Sequence, residues 1–158
     1  MMETTTLCFT PEAATGLLLD LTGRLERIAR LKAQMATKAT AFRSLPPPGI
    51  RSQKGQEAER RRLSQDLDAQ LDKLNEEMNA IEALGCYPRD LDRGLVDFPA
   101  SVAGVEAFLC WTKGEGEVGF WHPREVGCDA RRPLPFPEFE DPAAADPVGV
   151  GTSAQPRR

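Results

Sequence analysis

Residues 109–123, LCWTKGEGEVGFWHP, hold the chain's single histidine, both tryptophans and one of four cysteines. Histidine is the side chain that changes charge nearest neutral pH. Asp97 is the second unusual residue, because it sits between Val96 and Phe98 in a β-forming stretch where carboxylates are scarce. A carboxylate beside an imidazole fixes its tautomer, so Asp97 and His122 form a candidate acid–base pair. The structural alternative turns Asp97 to solvent on an uncovered sheet face. Arg131, followed by Arg132, would hold an anionic ligand through forked hydrogen bonds. Trp111 and Trp121 offer either a ligand platform or the bulk that anchors a thin sheet.

A metal reading takes Cys110, His122 and Asp97. Alternation puts Cys110 and Trp111 on opposite faces of one strand, and Trp121 and His122 on opposite faces of another. The hairpin register then decides whether Cys110 shares a face with Trp121 or with His122. Zinc needs three or four ligands, so this set is minimal, and no metal or cofactor is expected. Cys8, Cys86, Cys110 and Cys128 show no CxxC or CxxH spacing. Reduced, mostly buried thiols are the expectation.

The elements that must position these residues follow from periodicity. Thr10-Pro11-Glu12 is a helix start, with a capping hydroxyl, proline at the first turn and an acid at the positive dipole end. Leu18, Leu21, Leu25, Ile28, Met35, Ala39 and Phe42 continue it at helical spacing until Pro46-Pro47-Pro48-Gly49. A second helix from about Gln56 to Leu84 carries Leu63, Leu67, Leu71, Leu74, Met78 and Ile81. Gly85 suits its left-handed C-terminal position, with Cys86 closing back onto Ile81. The two predict an antiparallel hairpin over 11–84 with coiled-coil-like stripes. Segments 94–99, 105–111 and 118–122 read as strands, with turns at Gly104 and at Gly114-Glu115-Gly116. They predict a three-stranded antiparallel meander over about 94–123, covered on one face by the hairpin. The expected fold is α+β, one domain over 1–140. Residues 141–158, rich in Ala, Pro and Gly, are expected to be a disordered tail.

With these motifs laid out, the chain resembles a bacterial family, domain of unknown function 2203. The resemblance rests on LGCYPRDLDRGLVDFPA (84–100), FLCW (108–111), GFWHP (119–123) and the opening FTPEAA (9–14), and covers roughly 7–134. The family usually closes with Gly-Phe-Ala-Gly-Arg-Gln-Pro. Here Gly127, Arg131 and Pro133 match, while Cys128, Asp129, Ala130 and Arg132 depart. The resemblance implies the architecture and supplies no reaction.

The chain of 158 residues has a formal net charge of -4, which disfavours nucleic acid as a partner. Leu17-Leu18-Leu19 is cut by Asp20, and Met1–Thr6 lacks a signal-peptide pattern, so no membrane association and a cytoplasmic location are expected. There is no phosphate-binding Gly-rich loop and no HExxH. Two functional readings remain. One is a small soluble interaction, scaffold or regulatory protein, a possible homodimer through the hairpin or a binder of an unknown protein. The other binds an anionic metabolite, or does acid–base chemistry on it, with Asp97, His122 and Arg131.

Overall fold

The computed structural model describes residues 8–49, 53–102 and 104–134. The tail expected over 141–158 lies outside the described residues. The chain opens with helix α1 (Pro11–Thr15), then α2 (Leu18–Ser44) and α3 (Lys54–Ala83). The Thr10 hydroxyl accepts from the Ala13 amide at 3.1 Å, the cap that the sequence predicts. The first helix is not continuous: it breaks at Gly16–Leu17, and the Gly16 amide closes on Glu12 O at 3.0 Å. The break turns Ala14 and Leu18 into one core. At the far end of α3, Gly85 takes a φ of 94°, a conformation that favours glycine. The Cys86 thiol then reaches back to Ile81 O at 3.4 Å.

The sheet is antiparallel, with five strands in sequential order: β1 (Tyr87–Asp90), β2 (Leu95–Val102), β3 (Val105–Thr112), β4 (Phe120–Pro123) and β5 (Arg132–Pro133). The three predicted strands are its centre, and the count of three is corrected to five by a short strand at each edge. Both edge strands contain proline, which a sheet admits at its edge because a donor is missing there. Cross-strand pairs Asp97–Cys110, Phe98–Leu109 and Leu109–Trp121 set the register. One face therefore carries Val96, Phe98, Ala100, Leu109, Trp111 and Trp121, which join Leu21, Leu25, Ile28 and Ile81 in the core. The hairpin of α2 and α3 covers that face, and Phe9 meets Phe98 edge-on with centroids 5.3 Å apart. Among the described residues, no helix is long and apolar enough to cross a membrane.

Candidate functional site

The other face of the same strands carries the chemistry. Strand alternation sends Asp97 from β2, Phe108 and Cys110 from β3, and Phe120 and His122 from β4 away from the hairpin. The register answers the question the sequence leaves open: Cys110 pairs with Phe120 and Phe108 with His122, so Cys110 and His122 share a face. β2 and β4 flank β3, roughly 10 Å apart at two strand spacings. The His122 ring reaches across β3, beside the Phe108 ring at 5.6 Å, and brings Nε2 to 3.1 Å from Asp97 Oδ1. Asp97 is 3% exposed and His122 2%, so neither turns to solvent. The solvent-facing reading of Asp97 is therefore corrected.

Two further groups reach Asp97. Arg89, from β1, donates Nε to Asp97 Oδ2 at 3.1 Å. Its guanidinium lies over the rings of Tyr87 and Phe108, at 5.2 and 5.1 Å from their centroids. Cys128, from a single 3₁₀ turn (Cys128–Ala130), places Sγ 3.2 Å from Asp97 Oδ1 and is bonded to Cys110 Sγ. The disulfide corrects the expectation of four reduced thiols. The two cysteines are 18 residues apart with no motif spacing, and meet because the chain after β4 folds back over β3. Cys8 and Cys86 are free. Burial pushes the Cys86 thiol up to about 11, which keeps it protonated and inert.

The predicted residues separate. Asp97, His122 and Cys110 come together. Arg131 does not line their cavity: it pairs with Glu115 at 2.8 Å and stacks 3.9 Å from the Phe120 centroid. Trp111 and Trp121 are buried on the helix-facing side, so the platform reading gives way to core packing. The Trp111 indole also donates to Glu115 O at 2.9 Å, fixing the β3–β4 loop. Arg89 and Cys128 are the residues that sequence reasoning missed. The signal for Arg89 lay in YPRD, a short proline-bearing edge segment; Cys128 carried none.

Two adjoining cavities open on this face. One, of about 300 Å³, is lined by Asp97, His122, Cys128, Arg89, Phe108 and Arg124 among others. The second, of about 370 Å³, shares Arg89, Phe108 and Arg124 and adds Tyr87, Cys8 and Glu106.

A helical hairpin on an antiparallel sheet, with a buried carboxylate–imidazole pair on the sheet's outer face, defines a small α+β protein with one concentrated candidate site. The chain belongs to the family described as uncharacterized conserved protein (DUF2203), which matches residues 7–134. No curated protein and no solved structure matches it.

Proposed function

We propose that the outer face of the sheet binds a small organic anion and exchanges a proton with it. The observation that carries this reading is the pair of arginines, Arg89 and Arg124, lining both cavities beside the buried Asp97–His122 pair. Arg89 uses Nε on Asp97, and the two ends of its guanidinium fork remain the natural partners for a carboxylate. Arg124 pairs with Glu106 on the exposed rim, a contact that an incoming anion can replace. Tyr87 and Phe108 supply an apolar wall. His122 would be the acid or base and Asp97 its orienting partner. The cytoplasmic location expected from the sequence belongs to this reading, since small metabolites are plentiful there.

Thermal shift and calorimetry against small mono- and dicarboxylates and inorganic phosphate test it. Stabilisation by at least one millimolar carboxylate is expected, weakened at least fivefold in Arg124→Ala. No response to any of them would end the anion reading.

A second reading, assembly through the hairpin, rests on its sparse burial. Beyond Ile28, α2 contributes no buried residue, and in α3 only Leu63, Gln70 and Ile81 are buried. Leu71 is 45% exposed. Two hairpins would pair into a four-helix bundle. Light scattering at tens of micromolar tests this, and a strict monomer removes it.

A further inference from the structure

The proton count around Asp97 does not balance as a simple dyad. His122 Nδ1 lies 2.9 Å from Pro123 O, a carbonyl that can only accept. Nδ1 therefore carries the hydrogen, and Nε2 presents a lone pair toward Asp97 Oδ1 in the neutral ring. Cys128 Sγ, once bonded to Cys110, also brings lone pairs to the same carboxylate oxygen. Three electron-rich atoms converge on one point, and something positive belongs there.

We propose that Asp97, Cys110, His122 and Cys128 form a metal site when the two cysteines are reduced, and that its ion is divalent zinc. Their ligand atoms all lie within 4.8 Å of one another. A tetrahedron with bonds of about 2.0–2.3 Å has edges of roughly 3.3–3.8 Å. The distances of 3.1 Å from Asp97 Oδ1 to Nε2 and 3.2 Å to Cys128 Sγ are close to such edges before any side chain adjusts. The surrounding contacts are those a metal site needs. The Nδ1 hydrogen on Pro123 O leaves Nε2 for the ion. Arg89 holds Asp97 Oδ2 and leaves Oδ1. Two thiolates and a carboxylate around a divalent ion leave one net negative charge, which Arg89 balances. Mixed sulfur, nitrogen and oxygen donors suit zinc rather than magnesium or calcium. The cavity beside Asp97, His122 and Cys128 is the way in.

The disulfide and the metal are alternative uses of the same sulfurs. Reduction adds two electrons and two protons to the disulfide, supplied by a dithiol that becomes a disulfide itself. Zinc then displaces both thiol protons and takes the two thiolates.

The test uses the full chain, reduced anaerobically with a phosphine and freed of reductant. Zinc is titrated by competition with a chromophoric chelator, and cobalt(II) serves as the spectroscopic probe. One equivalent is expected for the reduced protein and none for the disulfide form. Cobalt should show thiolate charge-transfer bands and the intense visible bands of a tetrahedral ion. Cys128→Ser should weaken zinc at least tenfold and halve the charge-transfer intensity, while Cys86→Ser and Arg124→Ala leave both unchanged. Circular dichroism checks that each variant is folded. A folded, reduced wild type that binds no zinc overturns the proposal, as does a Cys128→Ser spectrum identical to wild type. Because Arg124→Ala tests the anion alone, failure of either reading is distinguishable from failure of the other.

Discussion

The two faces of this sheet are made by the same strands, and both are buried, for opposite reasons. On the hairpin side, Val96, Phe98, Leu109 and Trp111 are 0–1% exposed and belong to the apolar core. On the outer side, Asp97, Cys110 and His122 are 3%, 0% and 2% exposed, although they face away from the hairpin. The chain's own return through Cys128 and the reach of Arg89 from β1 close them over. Apolar burial is additive and forgiving of its exact partners. Polar burial is stable only when each donor and acceptor is matched, so a single lost partner strands the rest. Residues adjacent in sequence, such as Asp97 and Phe98, therefore fail in different ways.

The largest effect belongs to the apolar face. Phe98→Ala should cost about 3–5 kcal/mol, the usual range for emptying an aromatic site in a packed core. Urea unfolding monitored by tryptophan fluorescence would read it as a fall in midpoint at constant slope. A loss below about 1 kcal/mol would mean that the core collapses around the gap, and the contrast between the faces would weaken.

The polar face should respond through coupling. His122→Phe removes the ring packed 3.1 Å from Asp97 Oδ1 and the Nδ1 donor to Pro123 O, and should cost about 1–3 kcal/mol, because buried polar groups lose their partner. Asp97→Leu strands Arg89 and His122 by a similar amount. Together the two replacements remove both sides of the pair, and the double variant should be less destabilised than the sum of the singles. The expected discrepancy is about 0.5–3 kcal/mol, the span measured for residues in one network. Strict additivity would show that the 3.1 Å contact contributes nothing to the folded state.

Between these lies the hinge that sets both faces in register. Gly94 takes a φ of 70°, and a Cβ there would sit 2.6 Å from Lys113 Cβ. Its carbonyl accepts from the Lys113 amide at 2.9 Å, tying the start of β2 to the end of β3. Gly94→Ala should cost about 1–2 kcal/mol from the left-handed backbone alone, with the Lys113 contact adding to it. A two-dimensional NMR spectrum should show shifts on both faces, since alternation ties them to one register.

How much of this was legible in the sequence follows the same division. The hairpin and the three central strands were readable because leucine spacing and β-branched runs repeat over many residues. Trp111 and Trp121 read from the sequence as either platform or core bulk, and only the register, which turns both into the core, decides between them. Asp97 and His122 stood out by type, but their meeting depends on a hairpin register that no local pattern fixes. Arg89 and Cys128 were lost because each comes from a segment too short to have a period, an edge strand of four residues and a turn of three. Arg131 lies outside the cavity of Asp97 and His122 because Glu115, from the loop after β3, pairs with it, a contact that no local pattern announces.

The smallest effect lies away from the sheet and shows what the buried charges are not. Glu77 on α3 takes Arg27 Nε at 2.8 Å and Arg24 Nη1 at 3.1 Å from α2, with half-exposed partners. The hydrogen bond from Arg27 foremost, then that from Arg24, holds the Glu77 carboxyl below its ordinary value against the cost of its partial burial. A carboxylate held low in the folded state stabilises the fold above its unfolded pKa, and that stability is lost as pH falls through the folded value. Glu77→Gln should therefore cost at most about 1 kcal/mol at neutral pH, since such pairs are screened by solvent. The difference from wild type should vanish in acid and shrink with added salt. Unfolding midpoints across pH, with and without salt, would check both. A salt-insensitive loss of several kcal/mol would place Glu77 in the same energetic class as Asp97, and the distinction between matched burial and surface pairing would not hold.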